Sequence, residues 1–232
     1  MIREIVLDTE TTGLDPATGD RIVEIGAVEL INHIPTGNFY HQYINPERDM
    51  PLEAFNVHGL SEEFLSNYPV FGTVAEQFLE FIADGVLVIH NAQFDMKFIN
   101  AELSWINRPI LPMERVIDSL ALARKRHPMG PNSLDALCRR YGIDNSRRDK
   151  HGALLDSELL ADVYIELIGG RQTAFSLTEV SQVRTVQQVR SSSKARIRPD
   201  PLPSRLSEQE IRSHTEMVVR LGDKALWLAS WS

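Results

Sequence analysis

In the stretch Val6-Leu7-Asp8-Thr9-Glu10-Thr11-Thr12-Gly13, an apolar strand pattern leads directly into two carboxylates two positions apart. Residues spaced in this way along a strand point to the same face of the sheet. Asp8 and Glu10 would therefore repel each other unless a cation lies between them, and oxygen ligands suit Mg²⁺ or Mn²⁺. On this pair alone, a polar strand end entering a turn is the commoner explanation, so a metal site needs further ligands.

Length and composition predict one folded domain with an appendage. The chain has 232 residues, 43% of them hydrophobic, which is enough for one sizeable core. The single cysteine, Cys138, excludes an internal disulfide and fits a reducing compartment. We find no signal-peptide pattern and no apolar run near the roughly 20 residues of a membrane span, so we expect a cytoplasmic protein without a membrane partner.

The net charge of −8 limits how the chain can bind nucleic acid. Proteins that grip nucleic acid unaided are usually basic. Either nucleic acid is not the partner, or a metal and a second protein supply the attraction.

The first part of the chain has the pattern of three antiparallel strands. Residues 2–8 and 21–32 are strongly apolar, and Pro35-Thr36-Gly37-Asn38 is typical of a hairpin turn into a third strand, residues 39–44. A loop is predicted for residues 45–59, which contain two prolines.

The middle of the chain alternates short apolar strands with helical patterns. The predicted strands are residues 86–89 and 116–118. The predicted helices are residues 70–83, the segment after Asp95, residues 119–127, residues 134–141 and, after a polar loop at 144–150, a long helix ending near Ile168.

These patterns predict three parts. Residues 1–170 form an α/β catalytic domain, and residues 171–205, rich in Gln, Ser, Arg and Thr, form a flexible linker. Residues 206–232 begin with the capping-box sequence Ser207-Glu208-Gln209-Glu210. Because so short a segment cannot build its own core, we expect it to dock onto a partner.

Two further carboxylates stand at the boundaries of regular elements. Asp95 follows the strand at residues 86–89, and Asp156 lies in the first turn of the long helix, five residues after His151. Strand ends meet at one edge of a sheet in α/β folds, so the acidic groups would converge there. Two divalent cations about 3.5–4 Å apart would neutralise them and favour in-line attack on a phosphate.

Three segments together resemble the DEDD-type 3′→5′ exonucleases in the subtype with a histidine base. They are Asp8-Thr9-Glu10-Thr11-Thr12-Gly13, His90-Asn91-Ala92-Gln93-Phe94-Asp95 and His151-Gly152-Ala153-Leu154-Leu155-Asp156. Within that family the chain is similar to the epsilon proofreading subunits of bacterial DNA polymerase III over nearly its whole length. The resemblance implies a ribonuclease-H-like fold with a five-stranded mixed sheet flanked by helices.

The resemblance also implies roles for the residues. Asp8 would bridge two divalent cations, Mg²⁺ or Mn²⁺, and Asp95 would hold one of them, partly through water. Glu10 and Asp156 would complete the other metal site. His151 would take a proton from the attacking water, which suits an imidazole. The substrate-side residues implied are Asp8, Glu10, Thr11, Leu14, Glu53, His58, Phe94 and Asp156, with Glu53 and His58 near the terminal 3′-hydroxyl and sugar.

Other polar residues have structural explanations. His90 is equally well interpreted as a strand end or a substrate contact. Asp118 and Asp162 are expected to be caps or solvated helix residues, and Asp135 is the best candidate for supporting the metal ligands.

Residues 172–177, Gln172-Thr173-Ala174-Phe175-Ser176-Leu177, resemble a peptide that binds a sliding clamp. Gln172 would be the polar anchor, with Phe175 and Leu177 as the apolar contacts. Ordinary linker sequence is the alternative.

The predicted function is metal-dependent 3′→5′ removal of mispaired nucleotides from a DNA 3′ end, with release of nucleoside 5′-monophosphates. The predicted partners are the polymerase catalytic (alpha) subunit, bound through residues 206–232, and the sliding clamp. A small theta-type subunit is a further candidate partner of the catalytic domain. The alternatives are a stand-alone exonuclease that trims RNA or single-stranded DNA, and a non-catalytic scaffold joining clamp and polymerase.

Overall fold

A computed structural model describes residues 1–148, 150–170 and 206–221. The strands within these ranges are β1 (Arg3–Thr11), β2 (Ile22–Ile31), β3 (Ile34–Tyr43), β4 (Val86–Ile89) and β5 (Val116–Asp118). The helices are α1 (Leu52–His58), α2 (Glu62–Leu65), α3 (Phe71–Ile82), α4 (Ala92–Trp105), α5 (Ser119–Arg126), α6 (Leu134–Tyr141), α7 (Ala153–Ile168) and α8 (Glu208–Leu221), with 3-10 turns at Pro16–Thr18 and Met113–Arg115.

The described strands form one mixed sheet in the order β3-β2-β1-β4-β5. The central strand β1 pairs antiparallel with β2 and parallel with β4, and β5 runs parallel to β4. Because β1 and β4 run in the same direction, their carboxyl ends lie at the same edge of the sheet. The predicted five-stranded mixed sheet flanked by helices is confirmed.

Alternation along β1 assigns its side chains to two cores. Ile5 and Leu7 belong to a core that includes Phe78 of α3 and Phe98 of α4. Val6 points to the other face and packs with Leu160 of α7. Asp8 and Glu10 share the parity of Val6, so they project toward the α7 side of the sheet.

The predicted hairpin turn at residues 35–38 is wrong. Strands β2 and β3 are joined instead at Asn32 and His33, whose φ angles are 49° and 65°, and Ile31 pairs with Ile34. Two positive φ angles in a two-residue loop match the twist of the flanking strands. Gly37, with φ of 87°, lies inside β3, close to a register shift between Val28 and Leu30. The glycine that suggested a turn therefore belongs to an irregular strand.

The prediction of a loop throughout residues 45–59 is also wrong, because Leu52–His58 form α1. Pro51 stands at the N-cap position, and Gly59, with φ of 77°, donates its backbone N–H to the Phe55 carbonyl. Proline at the start and glycine at the end are the usual boundaries of a helix. The two prolines and the short length hid this element.

The described part of the C-terminal segment is α8. Ser207 and Glu210 exchange hydrogen bonds at its start, which confirms the predicted capping box. The linker at 171–205, its clamp-binding peptide and the end of the docking segment at 222–232 lie outside the described residues. Among the helices in the described ranges, none combines the length and the apolar composition that a membrane span requires.

Candidate active site

The first part of the site is built where β1 faces the start of α7. Asp156 lies in the first turn of α7, one helical turn before Leu160, which packs on Val6. This places Asp156 beside the β1 carboxylates. Ligand atoms of Glu10, His151 and Asp156 all lie within 4.8 Å of one another.

Asp95 joins the site from the other helix layer. It lies in the first turn of α4, directly after the parallel strand β4, and it is 3% exposed. Its Oδ1 accepts hydrogen bonds from Thr9 N at 3.0 Å and from Thr9 Oγ1 at 2.7 Å. Thr9, the residue between the two β1 carboxylates, therefore holds the Asp95 carboxylate in place.

Burial and mutual repulsion alter the pKa values of these acids. Burial raises the pKa of Asp8 well above its usual value, and the negative charges of Asp95, Glu10 and Asp156 raise it further. Burial likewise raises the pKa of Glu10 to about 8, with contributions from Asp156 and Glu24. For Asp95, burial raises the pKa to about 7 despite the hydrogen bonds from Thr9. Such a set of oxygen donors fits a hard divalent cation, because the cation would remove the repulsion.

Arg148 belongs to this site by its contacts, although the sequence pattern did not predict it. Its Nε and Nη2 donate to the two oxygens of Asp156 at 2.5 Å and 2.7 Å, and its Nη2 lies 2.8 Å from His151 Nδ1. Burial alone would raise the pKa of Asp156, but the hydrogen bonds from Arg148 and His151 lower it below its usual value. One arginine in a basic, polar loop carries no sequence signal that separates it from its neighbour Arg147.

His151 stands at the edge of this cluster. Its side chain is 49% exposed, and its Nδ1 lies 3.3 Å from Asp156 Oδ2. Its backbone N–H donates to the Val57 carbonyl of α1 at 3.2 Å. The adjacent Lys150 ammonium lies 4.9 Å from the Phe55 ring centroid, which adds a cation–π contact between this loop and α1.

A cavity of about 560 Å³ opens beside the carboxylates. It is lined by all the site residues predicted within the described ranges except Asp156, which Arg148 covers: Asp8, Glu10, Thr11, Leu14, Glu53, His58, Phe94, Asp95 and His151. Glu53 and His58 belong to α1, so the helix that the sequence did not predict forms one wall of the cavity.

His58 lines this cavity and has one buried side-chain nitrogen without a hydrogen-bond partner. Its Nδ1 accepts the backbone N–H of Leu60 at 3.0 Å, whereas its buried Nε2 faces the Thr11 carbonyl without completing a hydrogen bond. Burial lowers the pKa of His58. In the neutral ring, a proton-accepting Nδ1 leaves Nε2 as the donor, so His58 keeps one buried N–H that has no completed hydrogen bond.

A family model described as "RNase_T: Exonuclease" matches residues 5–164, which is more than half of the chain. The DNA polymerase III subunit epsilon of Rickettsia conorii is 49% identical over 226 residues, covering 95% of this chain and 96% of the relative. The chain belongs to the epsilon family of exonucleases. The Escherichia coli epsilon subunit is 44% identical over 243 residues, covering 98% of each chain.

Solved structures agree with this family fold. Exonuclease X, in complex with 5′ overhanging duplex DNA, is 27% identical with a TM-score of 0.56, covering 72% of this chain and 91% of that one. The nuclease domain of 3′hExo, a DEDDh family member bound to rAMP, has a TM-score of 0.63 at 17% identity and covers 72% of this chain and 91% of that one. The second likeness concerns the fold alone.

The remaining polar residues of this exonuclease have structural partners. His90 bridges Ser119 Oγ and the Asn132 carbonyl, each at 2.9 Å, which favours the structural interpretation of this residue although it borders the cavity. Asp118 accepts the backbone N–H groups of Leu120 and Ala121 and caps α5, as predicted. Asp135 accepts from Arg148 Nη1 at 2.8 Å and so supports the site indirectly.

Proposed function

We propose that this exonuclease removes mispaired 3′-terminal nucleotides with Asp8, Glu10, Asp95 and Asp156 as metal ligands and His151 as the base. The observation that carries this proposal is the meeting of buried carboxylates and an exposed histidine beside one cavity. The activity itself, proofreading 3′→5′ exonucleolysis, is that of the family to which the chain belongs.

Two divalent cations, Mg²⁺ or Mn²⁺, are proposed as the cofactors of the carboxylates. When bound, they would neutralise the scissile phosphate and lower the pKa of the attacking water. Asp8 is proposed to serve both, Glu10 and Asp156 one of them, and Asp95 the other. The raised pKa values of Asp8, Glu10 and Asp95 support this assignment, because a cation would lower them again.

His151 is proposed to accept the proton of the attacking water. Its exposure lets it reach solvent and substrate, and an imidazole accepts a proton readily near neutral pH. The hydrogen bond from its backbone N–H to the Val57 carbonyl fixes its position relative to α1. Helix α1 forms one wall of the cavity that is proposed to bind the terminal nucleotide.

The cavity is proposed to hold the 3′-terminal nucleotide. The N–H of His58 and the carboxylate of Glu53 would meet the sugar and its 3′-hydroxyl, while Leu14 and Phe94 would frame the base and sugar. Thr11 lines the same cavity. A frayed, mispaired end enters such a cavity more readily than a paired end because it needs no further unpairing.

The protein partners are proposed to hold the DNA near this acidic chain. The polymerase alpha subunit would bind residues 206–232, and a sliding clamp would bind Gln172, Phe175 and Leu177. A small theta-type subunit is a further candidate for the catalytic domain. Tethering would raise the local concentration of the nuclease at the primer end.

The test is nucleotide release from a 3′-mispaired primer with Mg²⁺ or Mn²⁺. Wild type should release nucleoside 5′-monophosphates, and Asp8→Ala should release none while keeping its fold. Asp84→Ala is the matched control, because Asp84 is exposed at the opposite end of β4. Equal activity of wild type and Asp8→Ala would refute the assigned site.

The partner assignments have separate tests. Unchanged clamp affinity of Gln172→Ala and Leu177→Ala would refute the proposed clamp contact. Polymerase binding by a chain without residues 206–232 would refute the proposed docking segment.

A further inference from the structure

The guanidinium of Arg148 is held from three sides. Its Nε and Nη2 engage Asp156, its Nη1 donates to Asp135 Oδ1 at 2.8 Å, and its Nη2 also contacts His151. Its side chain is only 8% exposed. On the far side, Asn145 Nδ2 also donates to Asp135 Oδ1 at 3.1 Å, so the outer anchor is itself held.

This arrangement places a permanent positive charge where a divalent cation would need a ligand. A guanidinium stays protonated at physiological pH, and its fork occupies both oxygens of Asp156. Burial and the neighbouring carboxylates raise the pKa of Asp8 and of Glu10, and the positive charge of Arg148 offsets only part of that rise. Arg148 and a divalent cation therefore stabilise the same acidic groups and compete for them.

We propose that Arg148 is a positioning residue that competes with the divalent cation for Asp156 and releases this carboxylate when the cation binds. Asp135 keeps hold of Nη1, so the side chain can turn away from Asp156 without leaving the site. Because the same nitrogen contacts His151, cation binding also frees the histidine. This inference rests on the proposed metal site.

The experiment measures Mn²⁺ binding to the full-length chain without DNA, by the loss of the free Mn²⁺ electron paramagnetic resonance signal. Arg148→Gln should bind Mn²⁺ about tenfold more tightly than wild type, the change expected when one charge-assisted competitor is removed. Arg148→Lys, which keeps the charge but loses the fork, should lie between the two. The control is Arg147→Gln, because the Arg147 side chain is 79% exposed and lies 3.8 Å from Glu158. It should bind as wild type does.

The outcomes separate this inference from the proposed function. If wild type binds Mn²⁺ no better than Asp8→Ala does, the metal site itself is wrong. If wild type binds Mn²⁺ and the folded Arg148→Gln and Arg148→Lys variants bind it equally well or more weakly, only the competition is overturned. Circular dichroism and the thermal midpoint show whether each variant is folded.

Discussion

Gly26 lies against the backbone of Ala153, and a Cβ atom added to Gly26 would stand 2.2 Å from the Ala153 carbonyl carbon. Gly26 pairs with Asp8 across β1 and β2, and its carbonyl accepts a hydrogen bond from Ser157 Oγ at 2.8 Å. The missing side chain therefore lets the first turn of α7 approach the sheet beside Asp8. This close approach brings Asp156 to the other carboxylates.

Gly26→Ala should push α7 away from the sheet. We expect a loss of about 1–3 kcal/mol in the free energy of unfolding, as for other overpacked sites. Exonuclease activity should fall further than stability suggests, because a misplacement of about 1 Å in a catalytic group costs roughly a hundredfold. Denaturant unfolding and nucleotide release measure the two effects. Gly72→Ala is the control, since its Cβ would make only an ordinary contact with Ile106 at 3.4 Å; equal activities of the two variants would contradict the prediction.

Stability without divalent cations should depend on pH. The pKa of Glu10 rises from 4.5 to about 8, and that of Asp95 from 3.8 to about 7. Between the ordinary and the raised pKa, the folded state binds more protons than the unfolded chain, so stability falls as pH rises. In the presence of a chelator, the thermal midpoint should therefore drop as the pH rises from about 4.5 to 8. In a domain of this size, each kcal/mol lost from the free energy of unfolding lowers the midpoint by about 2–4 °C.

The lowered pKa of Asp156 makes stability increase with pH, but only at pH values below this window. Excess Mn²⁺ should restore the midpoint at pH 8, and Glu10→Gln should flatten the profile. A thermal midpoint that rises steadily from pH 5 to 8 in chelator would show that the raised pKa values of Glu10 and Asp95 do not control stability in this range.

His151→Gln should slow the chemical step and leave Mn²⁺ binding near that of wild type. Loss of a positioned general base typically costs about 10²–10⁴-fold in rate. Single-turnover nucleotide release at saturating metal measures the effect. His127→Gln is the control, because His127 contacts the Tyr141 hydroxyl at 2.7 Å and does not line the cavity. A loss below threefold for His151→Gln would argue that another group takes the proton.

His58→Gln should weaken recognition of the terminal sugar. Losing one hydrogen bond to a neutral partner costs about 1 kcal/mol, or roughly fivefold in kcat/KM. The direct test compares primers ending in a 3′-hydroxyl and in a dideoxynucleotide. If His58 contacts the 3′-hydroxyl, the dideoxy end should be a poorer substrate for wild type and nearly as good as the ordinary end for the variant. Equal discrimination by both enzymes would assign the contact elsewhere.

Local patterns predicted the regular elements well where the signal was strong. The run Val86–Ile89 forms β4 with these bounds, and Ser207 and Glu210 form the predicted capping box at the start of α8. The prediction was wrong at α1 and at the β2–β3 turn. At the turn, Asn32 and His33 adopt positive φ angles, which these residue types tolerate better than most. Glycine has the stronger local preference for such angles, so Gly37 was the stronger turn signal, and the position of the turn became clear only from the pairing of β2 with β3.

The amino-acid sequence by itself determined that Asp8 and Glu10 share a face, that Asp95 and Asp156 each open a helix, and that His151 precedes Asp156 at a fixed spacing. These are properties of strand and helix periodicity, which act over a few residues. Only the tertiary structure decided that Thr9 donates a hydrogen bond to Asp95 and that Arg148 donates one to Asp156. It also decided that α7 packs closely against Gly26. Such contacts depend on which strands are neighbours and how closely a helix approaches, and no short stretch of the chain encodes that distance.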